Sequence, residues 1–206
     1  MAAPGVIGIL LAAGRGLRFG GDKLLAKLPS NARTGGPDGA ELAGECIGAA
    51  ACRHLLVALP RVVAVVRADD AALAAALGAA GARIVRCANA DDGMGASLAC
   101  GVVATRDAVA WVVALADMPW ILPATIARVA AAVADGAPVA APFYRGQRGH
   151  PVGFSSAAYS TLAALTGDEG AKSVVDLHRD SLARIDVDDA GTLQDIDRPA
   201  DLGTRP

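Results

Sequence analysis

Three groups of side chains have the types and spacing to do chemistry. The first lies in LLAAGRGLRFGGDKLL, Leu10 to Leu25, where four glycines, two arginines and one lysine fall within sixteen residues. Small residues let backbone N–H groups approach phosphate oxygens closely. Arg15 and Arg18 add forked donors, and Lys23 adds a mobile point charge. The second is Asp117 in ALADMPWI, a carboxylate just past the apolar run VAWVVAL, with Pro119 fixing the turn. Magnesium takes one or two carboxylates together with phosphate oxygens, so Asp117 is a metal-ligand candidate if it shares a sheet edge with the loop. The third is DIDRPAD near the end of the chain, where Asp195 or Asp197 would be a second carboxylate. A plain turn-forming role competes for these aspartates.

Counting residues removes two readings of the glycine loop. A dinucleotide fingerprint needs G-x-G-x-x-G, and Gly14-x-Gly16-x-x-x-Gly20 is one residue too long. Asp38 and Glu41 stand near the distance of a ribose-binding acid, but in a turn-rich stretch rather than after a second strand. A P-loop needs G-x-x-x-x-G-K-[ST]. Gly16 and Gly21 have that separation, but Asp22 follows, and Lys23 precedes Leu24 rather than a hydroxyl. A solvated surface turn is disfavoured because a buried strand feeds straight into the loop.

The elements must bring these groups together. Val6–Ala12, Arg61–Val66, Arg83–Cys87, Val109–Leu115, Val139–Pro142 and Leu182–Val187 read as strands, with Val152–Phe154 as an added edge strand. Lys23–Leu28 reads as the start of an amphipathic element. Ala40–Leu59 has helical spacing weakened by Gly44 and Gly48. Asp69–Gly78 reads as a helix capped by Asp69, followed by Ala96–Arg106 and by Pro123–Asp135 with proline in its first turn. Ser155–Leu165 and Gly170–Arg179 also look helical, and PSNARTGGPDG reads as an exposed loop. Alternating strands and helices imply one α/β domain over residues 1–206, a three-layer α/β/α sandwich with a Rossmann-like, mostly parallel sheet. Ligands of such folds sit beyond the carboxyl ends of the strands, where the glycine loop and Asp117 both lie.

Composition narrows the classes. The 206 residues carry a net charge of −2, which gives no general nucleic-acid surface. No apolar stretch reaches membrane-spanning length without a charge or turn. Val6–Ala12 reads as a strand rather than a leader, and a reduced cytoplasmic enzyme is the expectation. Cys46, Cys52, Cys87 and Cys100 form no metal-binding spacing and read as small buried residues. His54 and His178 fall in helices as surface or core residues, and Trp111 and Trp120 read as packing.

LAAGRGLRFGGDKLL, ALADMP and DIDRPADL together resemble the nucleotidyltransferases of the molybdenum cofactor and sugar-nucleotide type. Within that group DDGMGASLACGV, RGQRGHPVGF and GDEGAK look most like molybdenum cofactor cytidylyltransferase. The likeness runs from about Val6 to Leu202, with Lys172 where arginine is common and Arg198 where threonine is common. It implies transfer of a cytidylyl group from CTP to molybdopterin with Mg²⁺ as cofactor, and a molybdoenzyme as a possible client. By resemblance, Ala13, Gly14, Arg15, Gly16 and Arg18 line the CTP site and Lys23 meets the phosphates. Asp117 holds the metal with Asp197, and Met94, Gly95 and Ser97 lie near base and ribose. Gly149, His150 and Pro151 border the pterin side, near Gly167, Asp168 and Gly170. GTP in place of CTP, or a sugar phosphate as acceptor, stays open. An alternative of another class is a carrier that holds the finished cofactor without turnover; intact Lys23 and Asp117 argue against it.

Overall fold

The computed structural model describes residues 5–16, 19–33 and 41–203. Its strands are β1 (Val6–Leu11), β2 (Val62–Arg67), β3 (Arg83–Cys87), β4 (Ala110–Leu115), β5 (Val139–Tyr144), β6 (Gln147–Arg148), β7 (Val152–Ser155) and β8 (Leu182–Asp186). They form one sheet in the order β3-β2-β1-β4-β7-β5-β6, with β8 paired to β5. β1 is parallel to both neighbours and every residue of it is buried, as expected of a central strand covered on both faces. The sheet is mostly parallel, with β6 and β7 running against the rest.

Side chains alternate across the sheet with the period of two that strands impose. Val6 and Leu10 enter one core layer, and Ile7, Ile9 and Leu11 enter the other. The first layer is closed by α1 (Ile47–Ala58), α2 (Ala71–Ala79) and α4 (Pro123–Ala134). The second is closed by α3 (Met94–Val103), α5 (Tyr159–Ala163) and α6 (Lys172–Leu177). The three-layer sandwich is therefore present. No helix among the described residues is long and apolar enough to cross a membrane.

Several expectations are corrected. Val152–Phe154 is not an edge strand, because β7 lies between β4 and β5, antiparallel to both. Gly153 permits this: a Cβ there would stand 2.7 Å from Val133 of α4, so the glycine lets the helix sit against the strand. The cap of α2 is Asp70 rather than Asp69; its carboxylate accepts from Leu73 N at 2.9 Å. The helical part of Ala40–Leu59 begins only at Ile47. Lys23–Leu25 forms one 3-10 turn rather than a longer amphipathic element. Of PSNARTGGPDG, residues 34–39 lie outside the described residues. Ala32 is buried rather than exposed, in a third apolar cluster with Leu28, Leu42, Ile47, Trp120 and Ile196.

His54 sits on the buried face of α1 at 2% exposure, next to the backbone of Pro119 and Ile121. Burial, reinforced by the Arg53 charge, pushes its pKa down to about 4. The folded protein thus keeps a neutral imidazole that the unfolded chain protonates near 6.5. The corresponding stability, about 3 kcal/mol, is complete above pH 6.5 and is lost as pH falls toward 4. The urea midpoint should therefore drop between pH 7 and pH 4.5 in the native chain. His54→Leu should flatten that slope, and an unchanged slope would remove His54 as its source.

Candidate active site

The register of the sheet brings the site together. Leu11 pairs with Leu115 across β1 and β4, and with Val65 across β1 and β2. Ala116 N donates to Leu11 O at 3.0 Å and Ala12 N to Val65 O at 2.9 Å. The glycine loop after β1, the Asp117 turn after β4 and Arg67 at the end of β2 therefore leave the sheet side by side. A cleft of 440 Å³ opens there, lined by Ala13, Gly14, Arg15, Gly16, Lys23, Met94, Ser97, Asp117 and Asp168 among others. These expected residues come from four separate stretches of the chain. Arg18 lies outside the described residues.

Lys23 is the hub. Its Nζ donates to Asp117 Oδ2 at 2.8 Å and to Asp197 Oδ1 at 3.1 Å. Burial works against the charge, but the hydrogen bonds and charges of Asp117 and Asp197 outweigh it and raise the pKa. The two C-terminal aspartates arrive through the residue between them. Ile196 is fully buried against Trp120 and Ile47, and its N–H donates to Asp117 O at 2.9 Å. Asp195 and Asp197 are thereby placed beside Asp117. Each of the three offers a carboxylate oxygen within 4.8 Å of the others. An all-oxygen, anionic donor set of this size suits a hard divalent cation such as Mg²⁺ or Mn²⁺. Asp201 Oδ2 accepts from Asp197 N and Arg198 N and holds that turn.

The opposite wall is built on α3. Gly93 adopts φ +110° before the helix, and a Cβ there would stand 2.4 Å from the Gly167 carbonyl. Gly95 N donates to that same oxygen at 2.8 Å. The start of α3, with Met94 and Ser97, is thus clasped to the loop that carries Gly167 and Asp168. Gly93→Ala should cost about 1–3 kcal/mol through strain and clash, lowering the urea midpoint; an unchanged midpoint would contradict the clasp.

Two residues of the cleft were not expected from sequence. Arg15 and Arg67 both fork onto Asp91, Arg15 through contacts of 2.8 and 2.9 Å. The Arg67 and Arg15 guanidiniums hold Asp91 well below the usual carboxylate range. This exposed cluster bridges the glycine loop and the β3–α3 connection. Arg67 could have been noticed as the charge that ends the apolar run RVVAVV, at a strand's carboxyl end. Asp91 carries no such signal, because only the folded loop turns it toward two arginines.

His150 does not line the main cleft. It lines an adjoining cavity of 220 Å³ that shares Leu11, Met94 and Leu115 with it and adds Phe154, Gly170 and Lys172. Gly149 N and His150 N donate to Pro142 O and Thr192 O, each at 2.9 Å. His150 Nδ1 has no partner, and burial and then the Arg148 charge lower its pKa. A neutral imidazole there suits substrate orientation. Cys46, Cys52 and Cys87 are buried and Cys100 half-buried, all as free thiols, as small packing residues should be. Trp111 and Trp120 are both in the core.

The family profile described as a MobA-like NTP transferase domain matches residues 8–183. Among solved structures, Rv0371c from Mycobacterium tuberculosis H37Rv is 26% identical with a TM-score of 0.73, covering 98% of this chain and 96% of its own. A structure of Rv0371c complexed with manganese matches at 24% identity and TM-score 0.74, covering 96% of each chain. A nucleotidyl transferase from Methanothermobacter is 24% identical with a TM-score of 0.76, over 96% of this chain and 94% of its own. Molybdopterin-guanine dinucleotide biosynthesis protein A from Archaeoglobus fulgidus is 20% identical with a TM-score of 0.60, over 95% and 94%. Among curated protein sequences none matches the chain.

Proposed function

The chain belongs to the family of MobA-like NTP transferase domains, and from that premise we propose that it is a cytidylyltransferase. It joins CTP to the terminal phosphate of molybdopterin, giving molybdopterin cytosine dinucleotide and pyrophosphate. The observation that carries this reading is Lys23 gathered with Asp117 and Asp197 at the mouth of a cleft walled by the glycine loop. The choice of CTP and molybdopterin rests on the GMGASL and RGHPV segments, which resemble the cytidylyl-transferring members.

An oxygen of the acceptor phosphate attacks the α-phosphorus of CTP, the bond to the bridging α–β oxygen breaks, and that oxygen leaves with pyrophosphate. The nucleophile is already anionic, so no general base is needed. Catalysis rests on positioning and on neutralising charge. Lys23 offsets charge growing around the α-phosphate. Arg15 and Arg18, with the loop amides, stabilise departing pyrophosphate; Arg15 exchanges the Asp91 carboxylate for phosphate, while Arg67 stays paired with Asp91. Ala13, Gly14 and Gly16 let the triphosphate approach the backbone, and Met94, Gly95 and Ser97 border base and ribose. His150 orients the acceptor in the adjoining cavity, on a turn that Gly149 N ties to Pro142 O.

Asp117 and Asp197, with Asp195 beside them, would hold Mg²⁺, which supplies charge neutralisation on the phosphates when bound. The carboxylate trio supports a divalent metal, and the Mycobacterium tuberculosis relative has been solved with manganese. The product would pass to a client molybdoenzyme in the cytoplasm. A pyrophosphate-release assay crossing CTP, GTP, ATP and UTP with molybdopterin and sugar phosphates tests the reading. CTP with molybdopterin should give the highest turnover. Preference for GTP or for a sugar phosphate would replace the reading by that activity, and no release with any pair would favour a carrier.

A further inference from the structure

Two of the three carboxylates already hold a cation, and it is the chain's own. Lys23 Nζ stands 2.8 Å from Asp117 Oδ2 and 3.1 Å from Asp197 Oδ1, and the lysine side chain is only 11% exposed. Both carboxylates belong to the group suited to a divalent ion. We propose that the Lys23 ammonium plugs the divalent-metal site, and that a nucleoside triphosphate opens the site by drawing Lys23 onto its phosphates. This rests on the nucleotidyltransferase reading of the cleft.

The ammonium engages carboxylate oxygens that a metal would need. A monovalent and a divalent cation crowded among the same oxygens repel each other. Metal binding without nucleotide must therefore move Lys23 and leave it without its two partners. A triphosphate changes the balance, because it offers the ammonium another anion within the same cleft. Lys23 is built for the exchange. Its backbone is pinned by its own N–H to Gly21 O at 2.8 Å, and Gly14 and Gly16 of the phosphate loop line the cleft beside it. The four-carbon stem can swing while the backbone stays. The site thus takes its triphosphate before or together with the metal.

The test omits nucleotide. Mn²⁺ is titrated into the wild-type chain and Lys23→Met, with free Mn²⁺ read from its electron paramagnetic resonance signal. Lys23→Met should bind one Mn²⁺ about 10-fold or more tightly than wild type. Adding Asp117→Asn to Lys23→Met should abolish that gain. The melting temperature of Lys23→Met in chelator should fall below wild type and rise on adding Mn²⁺, with little response from wild type. Lys23→Gln gives the same comparison if the Met variant does not fold. Mn²⁺ binding no tighter in the variant, or a gain that survives Asp117→Asn, overturns the plug. CTP binding to wild type, measured separately by calorimetry, distinguishes the two ideas: failure to bind CTP sinks the cytidylyltransferase reading, whereas the metal comparison alone decides the plug.

Discussion

Lys23→Ala is expected to lower pyrophosphate release from CTP and molybdopterin by about 10²–10³-fold, the scale of removing one preorganised charge from a transition state. The loss should fall mainly on kcat, because Lys23 meets charge that grows at the α-phosphate rather than charge present equally in bound CTP. The fold should survive, since Lys23 opens a single 3-10 turn and, among the described residues, its ammonium is tied to carboxylates of the site. Lys23→Arg should restore part of the rate by keeping the charge in a different geometry. Full turnover by Lys23→Ala would remove the lysine from the mechanism. A rise in KM with kcat unchanged would reduce it to a binding group.

Asp117→Asn carries the second large effect, again a loss of about 10²–10³-fold in metal-dependent turnover. Asparagine keeps the shape and removes the charge that holds a divalent cation. The architecture should persist, because the structural contact of Asp117 is made by its backbone oxygen, which accepts from Ile196 N at 2.9 Å. Excess Mn²⁺ should recover part of the activity. Asp197→Asn should cost less, as its side chain is 36% exposed against 24% for Asp117, and an exposed ligand is more readily replaced by water. Unchanged activity in Asp117→Asn would contradict its assignment as the main metal-holding carboxylate.

The sequence made the sheet legible wherever a strand is central. The runs Val6–Ala12 and VAWVVAL are apolar throughout and read as buried strands; the first is buried, and the second is buried apart from exposed Val109 at its start and half-buried Leu115 at its end. Their pairing explains why the glycine loop and Asp117 meet, a juxtaposition that the strand-end rule anticipates. β7 was not legible as an inner antiparallel strand. Four residues containing Gly153 do not say which strands they lie between, and contact with α4 decides it. The cap of α2 moved from Asp69 to Asp70 because two adjacent aspartates present the same local signal, and only the backbone selects one. In the site, Lys23, Asp117 and Asp197 were legible as charges beside phosphate-binding chemistry. Arg67 and Asp91 were not, because their partnership is created by the adjacency of β2 and β3 and the fold of the loop after Cys87. The Lys23 plug was also hidden, since a lysine in a glycine loop reads as a phosphate ligand until two carboxylates are found around it.

In the proposed reaction CTP is cleaved between its α- and β-phosphates and the cytidylyl group passes to molybdopterin. Parallel incubations with CTP labelled by ³²P at the α- or the γ-phosphate, each with molybdopterin and Mg²⁺, test it most directly. The α-label should appear in a pterin dinucleotide and the γ-label in pyrophosphate, both strongly reduced in Lys23→Ala. Label from the γ-phosphate appearing as orthophosphate, or α-label that never reaches the pterin, would contradict it.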